Sequence, residues 1–273
     1  MSFKRNLADR TGLPLKVLPS SYQKVGDIIL IKLFGEAAKQ KKKIGESVLD
    51  MFPYIRTVCM IKGITGEYRT PKIEVIAGDK NTATIHKEHG CIYRIDVAKI
   101  MFSKGNLTER KRLINQIKPN ETIIDMFAGI GYFSIGIAKN TKVKKIYAIE
   151  KNPTSFRFLR ENIKLNKIKN IKPILGDCRS VVLQEKADRI IMGYFPGTEK
   201  FLSTAFSLLK DKGIIHYHNV YKQSELWSTP LKQLRKSAEA HGFVLIRIMT
   251  KKKVKSVAPR TYHIVIDAKF KKR

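Results

Sequence analysis

From Thr122 onward the chain alternates strand and helix signals with a regularity that few architectures can satisfy. Thr122 to Met126 reads as a buried strand, Gly131 to Lys139 as a helix, Lys145 to Glu150 as a strand and Pro153 to Asn166 as a helix. Strands follow at Ile171 to Leu175 and Arg189 to Met192, then a helix at Thr198 to Leu209 and a strand at Gly213 to His218. Apolar strands joined by helical crossovers require a mostly parallel sheet with helices on both faces. Phe243 to Thr250 and Tyr262 to Phe270 break the rhythm, because no helix lies between them, and so predict an antiparallel pair at one sheet edge. The expected fold is α/β and Rossmann-like, mostly parallel, with a C-terminal antiparallel hairpin that an ordinary dinucleotide fold lacks.

Residues 1 to about 105 read differently. Val25-Gly26-Asp27-Ile28-Ile29-Leu30-Ile31 is a turn feeding a strand, followed by a helical stretch with the basic run Lys39 to Lys43. Short β-rich segments come next, around Ile55 to Ile61, Lys72 to Ile76, Thr82 to His86 and Cys91 to Asp96. This predicts a smaller α+β module over 1–105 and a larger α/β domain over 106–273, without a Pro- or Gly-rich linker between them.

The 54 Lys and Arg against 23 Asp and Glu give a formal charge of +31. Such a field concentrates polyanions, of which nucleic acid is the commonest. A Lys-rich surface kept for solubility or heat resistance normally carries matching Glu, which is missing here. Cys59, Cys91 and Cys178 are odd in number and far apart, so neither a disulfide framework nor a zinc site is expected. No secretory leader and no uncharged run of membrane-spanning length occurs. The expectation is a cytoplasmic protein without metal or membrane attachment, taken as a monomer.

The densest chemical signal is Asp125-Met126-Phe127-Ala128-Gly129-Ile130-Gly131-Tyr132-Phe133-Ser134. A buried strand ends, the chain turns on two glycines, and a helix begins, so a ligand can approach the backbone at the carboxyl end of the sheet. A glycine turn alone could serve packing. Glu150 ends the next strand, where an acid can accept both hydroxyls of a ribose, and Asp177 follows the third, placed to accept from an adenine amino group beside the Cys178 N–H. Each carboxylate alone suits a solvated strand end; three successive tips in order favour a nucleoside. The loop is not GxGxxG and no P-loop Lys follows it, which disfavours NAD and ATP.

On these residues the chain from 120 to 270 resembles class I S-adenosylmethionine-dependent transferases. Arg69 to Gly78, Thr84 to Gly90, Phe102-Ser103-Lys104-Gly105-Asn106 with Glu109-Arg110, and the tail Lys255 to Tyr262 are similar to the archaeal and eukaryotic enzymes that modify guanosine 37 of tRNA. The resemblance implies S-adenosylmethionine contacts at Ser103, Arg110, Asp125, Phe127, Gly129, Gly131, Glu150, Lys151, Asp177 and Cys178. It also implies substrate contacts at Tyr132, Gly193, Tyr194 and Arg260.

Two activities occur in that group: methylation of guanosine 37 at N1, and transfer of the 3-amino-3-carboxypropyl group to C7 of 4-demethylwyosine in tRNA(Phe) during wybutosine biosynthesis. The methylating members carry Asn-Leu-Pro or Asn-Pro-Pro after the fourth strand, whereas this chain has Met192-Gly193-Tyr194-Phe195-Pro196. Gly193 has no polar side chain, and the segment gains an aromatic pair. Methylating members also usually carry a further N-terminal domain, for which little chain precedes the central module here. Both features favour the aminocarboxypropyl branch; N1 methylation is the alternative, and a tRNA-binding protein with a vestigial pocket is the reading from another class. RNA would be held by Lys39 to Lys43, Lys251 to Lys255 and Lys269 to Arg273, with an unstacked anticodon-loop base against Tyr132 or Tyr194. No general base is assigned; His216 and His218, flanking Tyr217, are read as structural.

Overall fold

The structure is a computed structural model that describes residues 2–102 and 106–273. The chain divides into two compact units, Met1–Glu88 with Ile92–Lys104, and His89–Cys91 with Gly105–Arg273.

In the first unit, α1 (Phe3–Thr11) is capped by the Ser2 hydroxyl and stops at Gly12, whose φ of 66° suits a residue without Cβ. β1 (Gln23–Val25) turns into β2 (Ile28–Ile31), and α2 (Gly35–Lys39) and α3 (Lys41–Met51) carry the chain over to β3 (Thr57–Thr65). β2 and β3 are parallel, and β4 (Thr70–Gly78) closes the sheet antiparallel to β3, in the order β1-β2-β3-β4. Ile44 and Val48 of α3 press on Ile29, Ile31 and Val58 to make its core. The basic run expected on one helix spans the end of α2 and the start of α3, which meet at Gln40. β5 (Ala83–Glu88) and β6 (Cys91–Asp96) form a separate two-stranded sheet.

The second unit opens with α4 (Leu107–Ile114) and β7 (Thr122–Asp125), followed by α5 (Ser134–Asn140), β8 (Lys145–Glu150), α6 (Pro153–Leu165) and β9 (Ile171–Leu175). Then come β10 (Ala187–Met192), α7 (Leu202–Leu208), β11 (Leu209–Lys222), α8 (Ser228–Ala240), β12 (Phe243–Ala258) and β13 (Thr261–Lys272). The seven strands lie in the order β12-β13-β11-β10-β7-β8-β9. β7 to β11 are parallel, and β13 is antiparallel to both neighbours. This is the mostly parallel sheet with an antiparallel C-terminal pair that the alternation implied. After β9 the chain returns to the far side of β7 as β10, so the strand order reverses between β7 and β10; in open α/β sheets that crevice is where ligands bind.

The boundaries moved where tertiary contacts outweigh local signal. The helix expected from Gly131 starts at Ser134, because Gly129 and Gly131 hold φ of 59° and 97°. The helix expected over 198–209 is a 3-10 turn, Thr198–Phe201, followed by α7, with Leu209 already in β11. β11, β12 and β13 all run longer than their apolar segments, paired through Lys222↔Thr261 and Ala258↔Thr261. Among the described residues the three cysteines are free and buried, no helix is long and apolar enough to cross a membrane, and no group of three or more potential metal ligands occurs.

Candidate functional site

The carboxyl ends of β7, β8 and β9 deliver three acids to one edge of the sheet, and each has a different role in the geometry. Asp125, at the end of β7, is fully buried; its Oδ2 accepts from Ser134 Oγ at 2.6 Å and its Oδ1 from Phe127 N at 3.4 Å. It therefore ties the strand end to the first residue of α5. Burial pushes its carboxyl up to about 6. A direct ligand contact was expected, but the side chain faces the inside of the turn it organises. Glycine is required in that turn: a Cβ on Gly131 would lie 2.5 Å from Ile135 Cδ1, and one on Gly129 3.0 Å from the Tyr132 ring.

Glu150, at the end of β8, accepts from Gly129 N on Oε2 and from Asn152 N on Oε1, both at 2.7 Å. Burial raises its pKa against those hydrogen bonds. Each oxygen has given one lone-pair direction to the backbone and retains another, which is what a vicinal diol needs from an acceptor pair. Asp177, beyond β9, is held well below the usual carboxylate range, first by hydrogen bonds from the Arg179 side chain. Arg179 Nε and Nη2 reach it at 2.9 and 2.7 Å, and Lys151 Nζ at 3.5 Å. The expected adenine contact would share this acid with two cations. Lys151 is thus directed to Asp177. Cys178 is buried with its thiol pushed up to about 12 by desolvation, which leaves its backbone N–H as the group it could offer a ligand.

Aromatic rings wall the crevice. Phe127 stacks on Tyr194 at 5.1 Å and meets Phe201 edge-on at 4.9 Å. Arg110 on α4 is buried, with its guanidinium 4.4 Å from the Tyr132 ring centre. The segment after β10 is pinned at its far end: Thr198 Oγ1 donates to the Tyr194 carbonyl, and Gly197 N donates to Asn219 Oδ1 at 3.2 Å. Gly193 is packed against Phe133, and a Cβ there would come within 3.0 Å of the ring. Arg260 is exposed in the turn joining β12 to β13. That turn lies at the same carboxyl edge of the sheet, beside the end of β11, where the Arg260 carbonyl accepts from Gln223 N at 2.8 Å. Ser103 lies outside the described residues.

Behind the crevice runs a buried polar chain that sequence reasoning did not assemble. Glu121 holds Arg189, whose Nη1 donates to His216 Nε2 at 2.7 Å; His216 Nδ1 donates in turn to Asp267 at 2.6 Å. Arg112 bridges Asp267 and Glu109 at 2.5 Å each. Burial would raise Asp267, but His216 and Arg112 outweigh it and hold the acid well below its ordinary range. His218 and His263 sit next along, 3.1 Å apart. The signal was present at period two: His216 and His218 share one face of β11, and His263 and Asp267 share one face of β13. Only the pairing of those strands shows that the faces coincide.

The acids, glycine turn and aromatic wall suit a nucleoside that carries a diol and lacks a pyrophosphate. Residues 84–246 match the family described as TRM5/TYW2 methyltransferase domain, and residues 7–82 match the TYW2 N-terminal domain. The tRNA(Phe) (4-demethylwyosine(37)-C(7)) aminocarboxypropyltransferase of Methanocaldococcus jannaschii is 46% identical over 256 residues, covering 92% of this chain and 98% of the relative. The tRNA (guanine(37)-N(1))-methyltransferase Trm5b of Pyrococcus abyssi is 39% identical over 254 residues, covering 92% of this chain and 75% of that one. Among solved structures, Pyrococcus horikoshii TYW2 in complex with MeSAdo superposes with a TM-score of 0.86 at 35% identity, covering 99% of this chain and 100% of that one.

Proposed function

The chain belongs to the TRM5/TYW2 family of tRNA-modifying enzymes, and on that premise we propose that it transfers the 3-amino-3-carboxypropyl group of S-adenosylmethionine to C7 of 4-demethylwyosine at position 37 of tRNA(Phe). The observation that carries this reading is the near full-length match, at 46% identity, to a relative named for that reaction. The crevice supports it: an Asn at position 193, as the methylating enzymes have there, would set its Cβ 3.0 Å from Phe133, whereas Gly193 leaves the ring in place.

When bound, S-adenosylmethionine supplies a sulfonium: the acceptor carbon bonds to the γ-carbon, the broken S–C bond leaves its electron pair on sulfur as methylthioadenosine, and the C7 proton passes to water. The selection among its three activated carbons is geometric, so this chain's part is orientation. Glu150 accepts the ribose hydroxyls, Asp177 and the Cys178 N–H address the adenine edge, and Arg110 with Ser103 directs the methionine arm. Tyr194 offers a stacking face to the extruded base. Phosphates are met by Lys39 to Lys43, Lys251 to Lys255 and Lys269 to Arg273, and residues 1–105 act as the tRNA-contacting module. The anticodon loop is the portion bound, and the enzyme works as a monomer, without a metal, in the reducing cytoplasm that three free thiols suit.

The test is incubation with tRNA bearing 4-demethylwyosine and S-adenosylmethionine labelled separately in the methyl and carboxyl carbons. Label entering RNA from the carboxyl position, with methylthioadenosine released, is the expected result. Methyl label alone overturns the assignment and shows methyl transfer instead; the N1-methylation alternative, the activity for which the 39% identical Pyrococcus abyssi relative is named, is tested on tRNA with unmodified guanosine 37.

A further inference from the structure

We infer that His218 and His263 are positioning residues that decide which carbon of the sulfonium faces the acceptor base, by bracing the segment after β10 at Phe195 and Phe133. The inference rests on the aminocarboxypropyl reading and concerns how this chain enforces it.

His263 is fully buried, and its ring stacks on Phe195 with centroids 3.9 Å apart and planes 25° apart. Its Nε2 lies 3.1 Å from His218 Nδ1. The His218 ring in turn is 5.6 Å from Phe133, the ring against which Gly193 packs. The two imidazoles therefore touch both ends of Gly193-Tyr194-Phe195, one directly and one through Phe133. On the other side, His218 Nε2 is 4.0 Å from Glu109 Oε1, the acid that precedes Arg110 on α4. Glu109 is itself gripped by Arg112 through two contacts at 2.5 and 2.8 Å. The segment that carries Tyr194 and the helix that carries Arg110 thus both adjoin one pair of rings.

A pair of aliphatic side chains would fill this space without burying four ring nitrogens, so packing alone does not account for histidine here. Desolvation pushes His218 down to about 3 and His263 down to about 2, so both rings are neutral at pH 7 and neither supplies a charge to its surroundings. Among the described residues, Nε2 of His218 and Nδ1 of His263 meet no hydrogen-bond partner. What the pair does supply is two flat rings, joined to each other at 3.1 Å and set against Phe195 and Phe133. Misplacing reacting atoms by about 1 Å costs on the order of 100-fold in rate, so a brace that holds the segment after β10 in place acts on reaction choice.

The test compares wild type with His218→Leu, His263→Leu and His263→Phe, the last keeping a flat ring on Phe195. Three quantities are read: methylthioadenosine against S-adenosylhomocysteine released on tRNA, the calorimetric Kd for S-adenosylmethionine, and the melting temperature. The leucine variants should lose methylthioadenosine formation roughly 100-fold, bind S-adenosylmethionine within about threefold of wild type, and release a larger share of S-adenosylhomocysteine. His263→Phe should recover to within about tenfold. Leucine variants that keep the wild-type rate and product ratio overturn the inference. So does a loss matched by an equal loss of S-adenosylmethionine affinity, or a folded His263→Phe as impaired as His263→Leu. Should the leucine proteins fail to fold, His263→Phe decides alone: a product ratio and rate recovered as above support the brace, and a deeper loss overturns it. Wild-type protein that releases only S-adenosylhomocysteine refutes the functional reading itself, an outcome separable from all of these.

Discussion

Replacing Glu150 by Gln separates a ligand-binding acid from a structural one, because two effects on stability oppose each other while the effect on binding does not. Each Glu150 oxygen accepts one backbone N–H at 2.7 Å, from Gly129 and from Asn152. Gln has a single acceptor oxygen, so one of the two bonds is lost and an amide N–H faces another donor. A hydrogen bond to a charged group contributes about 1.5–3 kcal/mol. Against this, burial raises the Glu150 pKa, meaning that the ionised form carries a desolvation cost that the neutral amide avoids. The two nearly offset, and Glu150→Gln should stay within about 1 kcal/mol of wild type, a shift of roughly 2–4 °C in melting temperature. Affinity has no such compensation. A ribose diol needs both remaining acceptor directions, and losing one charge-assisted bond weakens S-adenosylmethionine by about 1.5–3 kcal/mol, roughly 10- to 150-fold. Calorimetric titration and scanning calorimetry at one pH measure the two quantities. A Kd within threefold of wild type would refute the reasoning and leave Glu150 as a latch for the glycine turn.

Three further outcomes are expected. Burial raises the Asp125 carboxyl from 3.8 to about 6, so the folded state holds its proton more tightly; the stability it contributes is complete below 3.8 and lost as pH rises through 6. Urea unfolding of Asp125→Asn should therefore fall less steeply than wild type from pH 4 to 7, by up to about 3 kcal/mol, and a parallel profile contradicts the burial argument. Asp267→Asn removes the charge between Arg112 and His216, both of which it meets within 2.6 Å. Breaking a buried pair in this way costs about 3–5 kcal/mol, or roughly 6–20 °C, and a loss below 1 kcal/mol would show that the cluster is not the stabilising unit it resembles. Finally, Glu at Lys251, Lys252, Lys253 and Lys255 should weaken tRNA binding and flatten its dependence on salt by about 0.9 in log–log slope for each phosphate no longer neutralised, with S-adenosylmethionine affinity unchanged. An unaltered salt slope in filter binding removes this hairpin from the RNA-binding surface.

What the sequence alone determined is whatever repeats locally along the chain. Strand and helix periods placed β7 to β11 and the final hairpin, and the Gly129–Gly131 turn with Glu150 and Asp177 at successive strand ends marked the crevice. Helices α1 and α8 left little trace because they bury only a few residues, Leu7 and Thr11 in one and Pro230, Leu234 and Ala238 in the other, too sparse for an apolar stripe. Tertiary structure decided the direction and company of each polar group. Asp125 turns inward to Ser134, Asp177 takes Arg179 and Lys151, and Gly193 lies against Phe133. The chain from Arg189 through His216, Asp267, Arg112 and Glu109 to His218 and His263 joins α4 to β10, β11 and β13, residues far apart in sequence. Periodicity is a property of neighbouring backbone and survives in one dimension. The identity of a buried group's partner depends on strand order and register, which are settled only when distant segments pack together.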